Sequence, residues 1–287
     1  MKQASGGAVG GKTRGGRGLR RPDTPPGQGL TAAQLRALYT ALRAQIAALA
    51  RRHGGLDAVM EDLREIRARP AGDDRYFEEL TRHVFQAGFS WSLIQKKWPG
   101  FRQAFAGFSV DRVAAFGRDD VARLLADPGI IRNRAKVEAT ILNARAFREI
   151  RAQHGSFRKY LSSFGVADQA RLCRDLRRRF RHIGPFSTRH FLRRVGEDIF
   201  ISHPDTLRVM YRLGLVGSPK AGDEEAAAAY ARLAAANRGV TVGELNRLLT
   251  RHGSGRGLDE AICAPVPRCE KCRLTRWCWY YRSVRGG

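Results

Sequence analysis

Acidic residues are scarce in this chain of 287 residues, with 27 Asp and Glu against 52 Lys and Arg and a formal net charge of +25. That shortage leaves a strongly attractive field for a polyanion, with nucleic acid the first candidate partner and an anionic membrane the second. Long apolar runs are missing as well. No stretch approaches the ~20 residues that a membrane-spanning helix needs, and the N-terminus lacks the apolar core of a signal peptide, so no membrane partner is expected. The sequence reads as that of a cytoplasmic protein associated with the bacterial nucleoid. Strand signals are nearly absent, which excludes sheet architectures and leaves helices. Cysteine is sparse too: there are five, and four of them fall within residues 263–278. A reducing cytosol disfavours disulfides, so a cluster of this kind points towards a metal.

What is present begins with residues 1–28, rich in Gly and Arg, nearly without aliphatic side chains and closed by "RPDTPPGQG". Such a segment cannot offset its ordering entropy and is expected to be a disordered basic arm. Within it "GGAVGGKT", residues 6–13, fits the phosphate-loop pattern letter for letter. No strand precedes it and no apolar helix follows, so the match reads as coincidence. From Thr31 the pattern turns helical: "TAAQ" is a capping box, and Leu35, Leu38, Leu42 and Ile46 recur at spacings of three and four. Helical periodicity continues through "RYFEELTRHVFQAGFSWSLIQKKWPGFRQAFAGF", with a bend at Gly88, and then over 111–116, 118–126, 133–154, 163–180, 187–195, 204–213, 224–236 and 242–252. The expectation is an all-α chain of ten or eleven helices joined by short loops.

Residues 180–215, "FRHIGPFSTRHFLRRVGEDIFISHPDTLRVMYRLGL", hold the most informative stretch. One helix ends near His182, a bend at Ile183, Gly184 and Pro185 reverses the chain, and a second helix is expected near Ser187, whose hydroxyl can cap free N–H groups. A hairpin of this kind turns backbone N–H groups and a helix N-terminus towards a phosphate, and Gly184 lets the backbone come close. Any two antiparallel helices can also share such a turn. Asp205 follows Gly184 by twenty-one residues and opens "DTLRVMYRLGL"; taken alone, it is also ordinary helix-capping chemistry. Together these features resemble the helix–hairpin–helix DNA glycosylase superfamily, with His182 standing at the first hairpin glycine. The resemblance implies that Asp205 is catalytic. Cleaving an N-glycosidic bond builds oxocarbenium character on the sugar, and a carboxylate near the anomeric carbon stabilises that charge or directs water to it. Bifunctional relatives carry a Schiff-base lysine two residues after the last hairpin glycine. Phe186 stands there in this chain, which implies a monofunctional enzyme without lyase activity.

The run "QAGFSWSLIQKKWPGFRQAFAGF" and the later "VARLLADPGIIRNRAKVEATILNARAF", within residues 86–147, resemble the 3-methyladenine DNA glycosylase I family in particular. The family's base-recognising glutamate is His83 here, a side chain able to hydrogen-bond a flipped base or, if protonated, to repel a cationic alkylpurine. The resemblance places Gln86 in the gap left by a flipped nucleotide and Trp91 against the base. Read without it, Gln86 caps a helix end and Trp91 joins Ile94 and Trp98 in a core pattern.

Cys263, Cys269, Cys272 and Cys278 read C-x5-C-x2-C-x5-C, enough thiolates for a zinc ion or a [4Fe–4S] cluster. The pattern is similar to the C-terminal iron–sulfur loop of endonuclease III and MutY-type glycosylases. That resemblance implies a structural [4Fe–4S] cluster, with zinc the alternative, and would hold Arg268, Lys271, Arg273 and Arg276 at fixed positions for phosphates. Cys173 reads as a small buried side chain. The superfamily further implies a two-domain helix–hairpin–helix glycosylase fold. Residues 1–28 would be the arm, 29–75 an N-terminal helix packing with the cluster domain, 76–196 a helical barrel ending in the hairpin, and 197–287 the cluster domain. The function implied is that of a monomeric base-excision-repair glycosylase on double-stranded DNA containing a damaged base. An alkylated purine such as 3-methyladenine leads, ahead of a modified or deaminated pyrimidine (uracil, hydroxymethyluracil) or a mispaired base. The reading from another class is a non-catalytic iron–sulfur DNA-binding module.

Overall fold

The computed structural model describes residues 29–61 and 69–285. The 1–28 segment, with its phosphate-loop lookalike, and residues 62–68 of the expected N-terminal unit lie outside the described residues. Every regular element among the described residues is helical, as expected of an all-α chain. The helices are α1 (Ala32–Ala50), α2 (Leu56–Val59), α3 (Asp73–Gln86), α4 (Trp91–Ala104), α5 (Val110–Ala114), α6 (Arg118–Ala126) and α7 (Arg134–His154). They continue as α8 (Phe157–Ser162), α9 (Gln169–Arg179), α10 (Pro185–Arg194), α11 (Pro204–Arg212), α12 (Asp223–Ala236), α13 (Val242–Ser254) and α14 (Trp279–Arg285). The capping box before α1 is formed in both directions, Gln34 N donating to Thr31 and Thr31 N to Gln34 Oε1.

The described residues hold fourteen α-helices rather than ten or eleven, and two boundaries differ from the sequence expectation. The helix expected over 163–180 begins only at Gln169: Ser163 closes the preceding α8, its hydroxyl donating to Tyr160 O at 2.7 Å, and the chain turns through Phe164 and Gly165 before α9. Helix α8 itself was not expected, since its 6 residues are too few for a periodic signal. Helix α10 begins at Pro185 rather than at Ser187, with Gly184 as N-cap and no side-chain cap. Proline at the first helical position gives up no hydrogen bond there and presets φ. The short helices α2 and α14 carry too few residues for a periodic signal.

Buried apolar side chains fall into two clusters. The first is drawn from α3 to α10 and is rich in phenylalanine, including Phe77, Phe85, Phe101, Phe147, Phe157 and Phe191. The second joins α1 and α2 to α11, α12, α13 and the cysteine loop through Leu42, Ile46, Val209, Met210, Tyr230 and Leu248. Each such side chain fully buried stabilises by roughly 1.5–3 kcal/mol. Polar groups tie the clusters together. Arg189 of α10 is buried, donates to Phe200 O at 2.9 Å and pairs with Asp223 at 2.8 Å. Asp198 accepts from the Val242 and Gly243 amides, both at 2.7 Å, and so caps α13. Helices α11 and α13 touch backbone to backbone, since a Cβ on Gly253 would lie 2.7 Å from Asp205 O. No helix among the described residues is long and apolar enough to cross a membrane.

Candidate active-site cleft

A cleft of about 620 Å³ is walled by the end of α3, the start of α4, the exposed side of α10 and the loop after α13. It brings together His83, Gln86 and Trp91 from the first pair of helices and Ser187 from the hairpin. An equally large concavity bounded by Arg171, Arg174, Arg178 and Tyr160 lies on α8 and α9, away from these residues.

His83 occupies the last turn of α3 and is 9% exposed. Its ring meets Phe191 edge-on at 6.3 Å, and its Nε2 is buried without a hydrogen-bond partner. Burial first, then the positive charges of Arg194, His190 and Arg82, pushes the imidazole down to about 3, so the ring is neutral at neutral pH. Trp91, the first residue of α4, is half-buried, unlike Ile94 and Trp98, which are in the core. The Arg194 guanidinium lies over the Trp91 ring at 4.7 Å and is tied to Glu79 at 3.0 Å. Gln86 is the last residue of α3 and lines the cleft, with Ala87 as the C-cap. What fixes the bend after it is Lys136 of α7, a buried cation that donates to Phe85 O at 3.1 Å and also to Ala87 O. Two of the carbonyls left open by the end of α3 are thereby satisfied.

The hairpin is held from beneath. Asn143, buried in α7, receives Arg181 N at 2.7 Å and donates to Arg181 O at 3.2 Å. His182 sits at φ +57°, the left-handed region that glycine enters most readily. Ile183 is buried in the first cluster, so only its backbone faces outward, whereas Gly184 is exposed and a Cβ there would meet nothing within 4 Å. Phe186 is 70% exposed, its ring centroid lies 4.0 Å from that of His190 at a 40° tilt, and it lines the cleft mouth.

Asp205 is the first-turn acid of α11 but does not line the cleft. Its Oδ1 lies 2.6 Å from Arg208 Nη2 and its Oδ2 lies 3.2 Å from His203 Nδ1. Arg208 also donates to Gly253 O at 2.8 Å and to Cys263 O at 3.0 Å. Three residues after Gly253, Arg256 enters the cleft. The carboxylate is therefore beside the loop that forms one wall.

The four clustered cysteines are free thiols, Cys263 buried and Cys269, Cys272 and Cys278 half-buried. N–H groups point at three of the sulfurs: Arg212 Nη1 at Cys263 (3.3 Å), Leu274 N at Cys272 (3.4 Å) and Tyr281 N at Cys278 (3.3 Å). Burial, reinforced by the other cysteines, pushes the Cys272 thiol up to about 12 and Cys278 up to about 11. No group of three or more His, Cys, Asp or Glu among the described residues is arranged around a single ion. Around the loop, Glu260 pairs with Arg268 and with Lys271 at 3.0 Å, Arg273 N donates to Gln45 at 2.8 Å, and Arg276 lies 5.8 Å from the Trp277 ring centroid.

Sequence reasoning missed Lys136, Asn143, His190, Arg193, Arg194, Arg208 and Arg256. The "NRAK" turn and the "RVGED" helix end held signals for two of them, a lysine and an arginine at helix ends. The others act across long sequence separations.

Residues 67–183 match the methyladenine glycosylase family model. Over 90 residues the chain is 39% identical to DNA-3-methyladenine glycosylase 1 of Escherichia coli (strain K12), covering 31% of this chain and 48% of that protein. It is 32% identical over 90 residues to the DNA-3-methyladenine glycosylase of Haemophilus influenzae, covering 31% of this chain and 49% of that one. The chain thus spans about half the length of the curated relatives it matches. Among solved structures, a 3-methyladenine DNA glycosylase I is similar at 29% identity and a TM-score of 0.40, over 45% of this chain and 81% of that one. The Staphylococcus aureus 3-methyladenine DNA glycosylase I is similar at 26% identity and a TM-score of 0.41, over 54% and 91%. The matched segment supplies His83, Gln86, Trp91 and the first arm of the hairpin, but neither Asp205 nor the cysteines.

Proposed function

We propose that this protein is a monofunctional DNA glycosylase that flips a damaged base from double-stranded DNA and hydrolyses its N-glycosidic bond. The observation that carries this reading is the cleft itself: the family-matched segment brings His83, Gln86 and Trp91 to face the outward side of the hairpin's second helix. The hairpin receives a phosphate at Gly184 and the head of α10, fixing the duplex in register. Gln86 fills the gap left by the displaced nucleotide, Trp91 offers an aromatic face to the base, and His83 Nε2 offers it a hydrogen bond. Asp205 stabilises the positive charge that grows on the sugar as the bond to the base breaks, and water takes the anomeric carbon. Phe186 at the cleft mouth supplies no amine, so no Schiff base forms and an abasic site is the product. The names of the relatives support an alkylated purine as the base.

Cys263, Cys269, Cys272 and Cys278 would hold a [4Fe–4S] cluster, with zinc the alternative. The chemistry of the donor set suits such a centre: four cysteines lie on one loop, burial and then the neighbouring cysteines raise the proton affinity of Cys272 and Cys278, and N–H groups point at three of the sulfurs, so a cationic centre would favour their thiolate forms. The group would supply a covalent brace for the C-terminal loop. The working partner is damaged duplex DNA, met by a monomer in the bacterial cytoplasm.

The test is base release from lesion-bearing duplexes by wild type and Asp205→Asn. Loss of at least ~100-fold in the variant is expected. One observation favours a second reading, a DNA-binding module without catalysis: both Asp205 oxygens are engaged and the residue stands outside the cleft lining. Tight binding of an abasic-site duplex by both proteins, with no base released by either, would select it.

A further inference from the structure

Lys136 occupies an unfavourable place for a lysine. It lies in the first turn of α7, the end of a helix that disfavours a cation, and it is 8% exposed. No carboxylate among the described residues pairs with it, and burial alone pushes its pKa below the ordinary lysine value. An apolar side chain would fill the same space without that penalty. What the ammonium does meet is the C-terminal end of α3, where a cation is favoured. Its Nζ donates to Phe85 O at 3.1 Å and to Ala87 O, and lies 5.9 Å from the Phe85 ring centroid and 4.9 Å from that of Phe89. The chain held in this way is short and turns hard. Gly88 follows at φ +85°, Phe89 N donates back to Gln86 O at 3.0 Å, and Ser90 caps α4 by accepting Leu93 N at 3.3 Å. Helix α4 is fastened to the same stretch of chain before and within α7. Lys97 Nζ donates to Pro128 O at 2.8 Å, and a Cβ on Gly100 would lie 2.5 Å from Gly129 O.

We propose that Lys136 is a positioning residue for base flipping: it braces the turn over residues 86–89 so that Gln86 can enter the base stack without the turn yielding. The inference rests on the glycosylase reading and on the place that reading gives Gln86. Taking a base out of a duplex costs its pairing and its stacking. A turn that recoils under that load withdraws Gln86 from the gap, and the base falls back. Lys136 itself reaches neither the base nor the sugar, so it acts on the flipped population and not on bond cleavage. Its importance therefore scales with how firmly the duplex holds the base, which a role in packing alone does not predict.

The experiment measures single-turnover base release at saturating enzyme by the full-length protein and by Lys136→Met, which keeps the stem and loses the charge. Two duplexes are compared, one with the damaged base paired and one with it opposite an abasic analogue, where no pairing has to be given up. Lys136→Met should be slower than wild type by about 10-fold or more on the paired duplex and by less than about threefold on the unpaired one. Equal losses on both duplexes would make Lys136 a packing residue and overturn the proposal, as would a variant as fast as wild type on both. Circular dichroism reports whether Lys136→Met folds. If it does not, amide hydrogen exchange on wild type decides. The Phe89 amide should already be protected without DNA, whereas exchange as fast as in an unfolded chain, with protection only on the lesion duplex, would show a turn built by DNA and not by Lys136. Release of no base by wild type from either duplex sinks the glycosylase reading and this inference with it.

Discussion

At the scale of the residue, His83 has a measurable signature in stability. Its ordinary value of 6.5 falls to about 3 in the folded protein, chiefly through burial. Above pH 6.5 the folded and unfolded chains both keep it neutral and it imposes no pH dependence. Below 6.5 the unfolded chain takes up a proton that the folded chain refuses until about pH 3, so stability is lost as pH falls through that window. The loss is about 1.4 kcal/mol per pH unit, or roughly 2–3 kcal/mol by pH 4.5. Urea unfolding of wild type and His83→Gln at a series of pH values checks this: the variant should lose that part of the slope, and parallel slopes would refute the assignment. Phe186 makes the opposite kind of prediction. It is 70% exposed at the cleft mouth, so Phe186→Ala should leave the melting temperature unchanged. An apolar ring there is placed to wedge against an opened base step, and its loss should weaken binding to a lesion duplex by about 1–2 kcal/mol. Unaltered affinity in a fluorescence-anisotropy titration would make it an idle surface residue.

At the scale of the element, α11 joins the carboxylate to the cysteine loop. Arg208 holds Asp205 and the Gly253 carbonyl through Nη2 and the Cys263 carbonyl through Nε, and Arg212, one turn on, holds Cys263 Sγ, Ala264 O at 2.7 Å and Pro265 O at 2.9 Å. Arg208→Met should therefore lower kcat by about 10- to 100-fold with little change in KM, because it frees the carboxylate to turn without touching the DNA surface. An equal fall in kcat and rise in KM would instead mean that α11 had shifted as a body. This linkage was not legible in the sequence, where Arg208 is one of 52 basic residues and Cys263 lies fifty-five positions away. The helices were legible wherever one face alone is buried, as in α1 with Leu35, Leu38, Leu42 and Ile46. They were not legible where a helix is too short to repeat its period, as in α8 with its 6 residues. Of the cleft, His83, Gln86 and Trp91 were legible because they sit in one contiguous run that resembles a known family. Arg194, His190 and Arg256 were not, because α10 and the α13 loop reach the cleft only through tertiary packing around Arg189 and Gly253.

At the scale of the whole molecule, the formal charge of +25 acts on a different step from the cleft. Lysine and arginine spread over the hairpin, α10 and the cysteine loop attract phosphates of any sequence, and each phosphate neutralised releases counterions. A footprint of about six to ten phosphates gives a slope of log K against log salt of roughly −5 to −9, and an affinity loss of about 10³–10⁵-fold between 50 and 200 mM salt. On the proposed function, bond cleavage would take place in the cleft, where Arg194 is already paired with Glu79, and screening reaches such a partly buried pair far less than exposed charges. The two steps should separate cleanly on titrating sodium chloride with a lesion duplex. KM should climb steeply with salt, while the single-turnover rate at saturating enzyme should move by less than about threefold. A shallow dependence, with a slope nearer about −2, would mean that most of this charge faces water and that the duplex is held by the hairpin alone. A cleavage rate that fell in parallel with binding would mean that the arginines lining the cleft are themselves spent on phosphates.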